Sequence, residues 1–181
     1  MTLIELLIAM LVLAVGITAI VSGLSSSILA INRGGRTSIA NTLADQQIEA
    51  LRRTPYTSIF TDTSSTSTAM ANSVYAADAP SGISPAVTAP VTATCAGVPN
   101  YCNPMRTVTT NGGTYRVDTY VAWGCPVAGA ALSGTISAPQ CGVSQGITGR
   151  PIKRVTVIIR DGSSASKILV RVTSAFDASS S

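Results

Sequence analysis

From Leu3 to Val21 the sequence reads LIELLIAMLVLAVGITAIV, an almost wholly apolar run whose one charge is Glu5. Nineteen residues of helix rise roughly 28 Å at about 1.5 Å each, close to the ~30 Å thickness of bilayer hydrocarbon. Such a run must be covered by lipid or by other protein. A cleavable signal peptide opens with a basic region and closes at a small-residue cleavage site. Here no Lys or Arg precedes Arg33, so residues 1–29 read as an anchor retained at a mature N-terminus.

Glu5 is costly in that setting, by ~2.5–3.5 kcal/mol at the centre of a spanning helix and less near an end. One reading places its carboxylate at headgroup level, complementing the positive end of the helix dipole. The other has it await a cation supplied by another subunit. Residue type and position leave both open.

The stretch Thr2 to Met10, TLIELLIAM, resembles the processed N-terminus of type IV pilins and the related type II secretion pseudopilins. The close likeness covers about the first 30 residues, with a looser one to Tyr56 through LADQQIEALRRTPY. The resemblance implies cutting just before Met1 by a prepilin peptidase and methylation of the new amine. It implies that Glu5 pairs with the N-terminal amine of a neighbouring copy during assembly by the pilus machinery. Most members have Phe at the first position, where this chain has Met1. Many carry proline where this chain has Ser22, and their helix melts around it in the filament.

Beyond the anchor, Leu24, Ile28, Ile31, Ile39, Leu43 and Leu51 recur at largely helical spacings. Pro55 stops the helix near Thr54. The expectation is therefore one helix over residues 1–54, ~75 Å long, with 1–29 as anchor and filament core and 30–54 as an amphipathic half packed on a sheet. Gly16 and Gly23 are soft points, each costing about 1 kcal/mol relative to alanine.

Residues 55–104 are rich in Ser, Thr, Ala and Pro and read as a surface loop region, with one short element near Ala69–Ala77. This hydroxyl-rich stretch suits O-linked sugars or a plain polar loop, and the chain has no N-glycosylation sequon. Residues 105–181 change to strand periodicity. MRTVTT and TYRVDTYVAWG flank Asn111-Gly112, and PIKRVTVIIR and SKILVRVTS flank Asp161-Gly162; both read as hairpins. Residues 125–149 read as a Gly/Pro-rich excursion. The fold class is α+β, a long helix across a four-stranded antiparallel sheet, and the pilin resemblance implies the same layout.

Cys95, Cys102, Cys125 and Cys141 all lie beyond the anchor, and an even count in an exported domain reads as two disulfides. Zinc is the weaker alternative, lacking a Cys-x-x-Cys pair or any histidine. Three connectivities are open. Cys95–Cys102 with Cys125–Cys141 is favoured because each closes a local Gly/Pro-rich loop.

Without histidine, Ser–His–Asp and Cys–His devices are impossible. The aspartates are scattered, with no calcium loop, and no phosphate-cradling glycine loop occurs. Neither catalysis nor a cofactor is expected. Arg150, Lys153, Arg154, Arg160, Lys167 and Arg171 gather on the last hairpin. They read as a solvated sheet face, or as a basic contact surface for an acidic neighbour, more weakly for nucleic acid. A net charge of +4 is too mild to imply nucleic acid.

The resemblance implies a structural subunit of a cell-surface type IV pilus, held in the inner membrane before assembly and polymerised with copies of itself. The rivals are a minor pilin or pseudopilin that primes or caps a filament, and a tip adhesin or DNA-binding pilin.

Overall fold

The computed structural model describes residues 2–79, 101–124, 131–135, 138–142 and 152–177. Two compact units divide the chain, Met1–Ser38 and Ile39–Ser181. Helix α1 (Leu3–Arg52) contributes to both.

In the first unit α1 passes without interruption through Gly16, Gly23 and the Gly34-Gly35 pair. No atom lies within 4 Å of where a Cβ would stand at any of these four glycines. The hydroxyls in this stretch are satisfied by the helix itself. Thr18 donates to Ala14 O at 3.1 Å, and Ser25 and Ser26 donate at 3.0 Å to Val21 O and Ser22 O. Bonding to the carbonyl one turn back is how Ser and Thr enter an apolar helix without leaving a bare donor.

In the second unit, hereafter the head, the buried stripe of α1 is Ala40, Leu43, Ala44, Gln47, Ile48 and Leu51. These are the three- and four-residue steps of a helix face. After α1 come a single 3₁₀ turn (Tyr56–Ser58) and two short helices, α2 (Thr63–Met70) and α3 (Ser73–Asp78). Strands β1 (Met105–Thr110), β2 (Gly113–Gly124), β5 (Ile152–Asp161) and β6 (Ser164–Phe176) form one antiparallel sheet, ordered β1-β2-β5-β6. A separate hairpin pairs β3 (Ala131–Thr135) with β4 (Ala138–Gly142).

The first turn is built as its sequence dictates. Asn111 and Gly112 have φ of 48° and 71°, the paired positive values of the two-residue turn that matches strand twist. At the second turn, Gly162 N–H donates to Thr114 O at 2.8 Å, and an added Cβ there would stand 2.5 Å from that oxygen.

Both faces of the sheet are covered. On one, Val117, Val121, Val155, Val157 and Ile159 pack with the buried stripe of α1. On the other, Tyr120 and Ile158 pack with Ala69 of α2 and Tyr75 of α3. The expectation of a loop region with one short element near Ala69–Ala77 is corrected for residues 63–78, which form a two-helix layer, while residues 80–100 lie outside the described residues. Asp62 accepts from Ser65 N–H at 3.4 Å at the start of α2, and Asn72 caps α3 by accepting from Val74 and Tyr75 N–H. Small residues let α2 approach the sheet closely; Thr66 and Ala69 are buried. Residues 125–149 also hold more than an excursion, since β3 and β4 lie there.

Candidate functional site

From Leu3 to Ile31 the large hydrophobic side chains of α1 are 51–82% exposed. This helix is long and apolar enough to cross a membrane, and it is a weak indication of an anchor. Glu5 occupies the first turn of α1, where its backbone N–H donates to Thr2 O at 3.1 Å. Met1 lies outside the described residues.

Of the six basic residues read as one contact surface, the five that are described are not brought together on one. Arg160 is 1% exposed and Lys153 is 5% exposed, so the reading is corrected for both. Lys153 lies on the α1 side of the sheet. Its ammonium donates to Tyr56 O and Ile59 O, both at 2.7 Å. It also stands 4.8 Å and 5.1 Å from the ring centroids of Tyr56 and Trp123. Burial pushes its pKa down to about 8; the carbonyls and rings oppose that shift by favouring the charged form. Lys153 thus ties the turn after α1 to the sheet.

Arg160 lies on the opposite face, within a chain of ion pairs. Asp118 is fully buried, and its Oδ2 accepts from Arg160 Nε at 2.6 Å and Arg116 Nη2 at 2.8 Å. Arg116 and Arg160 are directly opposite in the register; like charges so placed repel, and Asp118 offsets this by bridging them. Arg160 also pairs with Asp78 at the end of α3, and Asp78 in turn receives Arg171 at 3.3 Å. Beside this network Tyr75 and Tyr120 stack with ring centroids 4.3 Å apart. Tyr75 O–H donates to Thr119 O and Tyr120 O–H to Tyr75 O. Burial, then the negative charge of Asp118, pushes Tyr120 up to about 12. These tyrosines stay neutral and serve as donors that lock α3 to β2.

Arg154, Lys167 and Arg171 are exposed, and Arg150 lies outside the described residues. Arg154 and Arg171 border a groove of about 430 Å³ on the α3 side, floored by Thr156 and Thr173. A second groove, of about 400 Å³, runs along the outward face of α1 beside Asp45, Gln46 and Glu49. Both are open and lack an enclosed apolar interior.

Cys102 is disulfide-bonded and buried. Cys95 and Cys125 lie outside the described residues, Cys141 stands on β4, and the favoured connectivity falls outside the described contacts. Among the described residues no group of three or more His, Cys, Asp or Glu side chains could hold a metal ion.

What the sequence reading missed is the buried ionic network. Its signal was present: Arg116, Asp118 and Tyr120 alternate on one strand face with charges of both signs. A solvated face and a buried, paired one read alike until a second layer covers it.

The arrangement defines a class, an α+β head bearing a long apolar helix. No family model, curated protein or solved structure matches the chain.

Proposed function

We propose that this chain is a structural subunit of a type IV pilus filament. Its helix would be held in the inner membrane before assembly and buried among the helices of other copies afterwards. The observation that carries this reading is the continuous exposure of apolar side chains from Leu3 to Ile31, interrupted by Glu5 alone among acids. The head closes its own core using residues from Ala40 onward, so this apolar surface is free for another partner. Packing it against copies stabilises the polymer by ~25 cal/mol per Å² of apolar surface removed from water or a polar surround. Glu5 sets the stagger by meeting a neighbour's N-terminal amine, an opposite charge that offsets the cost of a carboxylate in an apolar core.

The test is Glu5→Ala. The variant should fractionate with membranes like the parent, because removing a charge only improves insertion. Its yield of surface filaments should collapse. Normal filament yield would remove Glu5 from the assembly mechanism.

A further inference from the structure

Among the described residues of the head, the exposed charges without an ion-pair partner include Asp45 and Arg53 beside one groove, Arg154 beside another, and Lys167 on β6. Glu49, Asp62, Asp78, Asp118, Asp161 and Asp177 each have a partner within the chain. Among the described residues of the head, Asp45 is the acid without one, and it is exposed. At 3.6 residues per turn it sits more than ~100° around α1 from the centre of the buried stripe, in the groove beside Gln46.

Arg154 is likewise exposed and without an ion-pair partner among the described residues. The sheet register places Thr156 opposite Thr173, with Arg154 and Arg171 at the neighbouring same-face positions on either side. The two threonine hydroxyls are 3.2 Å apart. The groove therefore offers a guanidinium without an ion-pair partner, a hydroxyl pair and a second guanidinium, Arg171, shared with Asp78, which also lines the groove and is itself neutralised by Arg160 beneath. One carboxylate suits it. A nucleic-acid backbone does not, because affinity there comes from several phosphates neutralised together, and Arg160 beneath is already spent on Asp118 and Asp78.

We infer that Asp45 of one copy docks in the Arg154–Arg171 groove of another, a contact that rests on the filament reading and specifies how neighbouring heads meet. Val155, Val157 and Ile159 face α1, whereas Ile158 faces α2 and α3. Arg154 shares the face of Ile158. Acid and base are on opposite sides of one head, so the contact is heterologous. It repeats from copy to copy instead of closing a two-fold dimer, as a helical polymer requires.

The experiment uses the full chain in cells, with a photo-crosslinking amino acid at the exposed Gln46 and, separately, at Leu13 of the apolar helix. The Gln46 probe should give an adduct between two copies that maps to β5 or β6. Asp45→Arg or Arg154→Asp alone should each reduce that adduct roughly five-fold, the scale of one exposed ion pair. The double variant Asp45→Arg/Arg154→Asp should return it to within about two-fold of the parent. An adduct unchanged by the reversals, unrestored by the double variant, or mapping to another protein would overturn the contact. The Leu13 probe separates the two claims. Copy-to-copy adducts there with none from Gln46 reject the Asp45 contact alone. Absence of both in the parent chain rejects the filament reading as well.

Discussion

Replacing Arg160 by methionine should be among the most damaging single changes in the head. The guanidinium is 1% exposed and bonds Asp118, which is 0% exposed, at 2.6 Å. Without it, Asp118 keeps only Arg116, and its Oδ1 already lacks a partner. Breaking a buried pair from one side leaves an uncompensated charge and costs about 3–5 kcal/mol. Against a total of roughly 5–15 kcal/mol for a domain, that is a large fraction, and it should lower Tm by roughly 10 °C. Arg160→Met/Asp118→Leu should be less destabilised than Arg160→Met alone. The apolar pair leaves no buried charge at its own two positions, and Asp78 and Arg116 retain 28% and 14% side-chain exposure through which to be solvated. The assay is urea denaturation of the full chain in detergent micelles, followed by fluorescence of Trp123, the single tryptophan. A loss under about 1 kcal/mol for Arg160→Met, or a double variant as unstable as the sum of both singles, would refute the reasoning.

Further perturbations test Lys153 and the turn at Gly162 in the head, with Gly34 in the first unit as the comparison. Burial lowers Lys153 to about 8 from 10.5, so between those values the folded state binds fewer protons than the unfolded chain. Stability should therefore rise as pH climbs from about 8 toward 10.5, while the neutral amine still donates to Tyr56 O and Ile59 O. Denaturation midpoints should show this slope in the parent and a weaker one in Lys153→Met; equal slopes would contradict the assignment. Gly162→Ala places a Cβ 2.5 Å from Thr114 O and should cost about 1–3 kcal/mol. Gly34→Ala, with open space around it, should be neutral or gain up to about 1 kcal/mol. Similar denaturation midpoints for the two would count against the close packing at that turn.

The parts of this fold that the sequence announces are those set by local chemistry. Asn111-Gly112 can take two positive φ values cheaply, and the alternating strands around it leave one register that buries Val117 and Val121. Pro55 bounds α1, and the stripe from Ile39 to Leu51 identifies the half of the helix that packs in the head. The helical layer at 63–78 was hidden because TSSTSTAM has weak helix propensity and little apolar periodicity. It is held by long-range partners: Tyr75 on Tyr120, and Arg160 on Asp78. For the same reason Lys153 and Arg160 look like surface charges in the sequence. Their partners are carbonyls near residue 56 and carboxylates at 78 and 118, invisible to local spacing. Asp45 and Arg154 look no different in the sequence, and it is the fold that places them on opposite faces of the head without an ion-pair partner among the described residues.

The central claim is that this chain polymerises through its N-terminal helix. The most direct measurement is to shear filaments from the cell surface and quantify this chain in them by intact mass spectrometry. The account predicts that it dominates the filament fraction, with a methylated N-terminal amine and oxidised cysteines. Its absence, or its presence only as a trace beside another subunit, would contradict the claim and favour a minor pilin or a secretion pseudopilin.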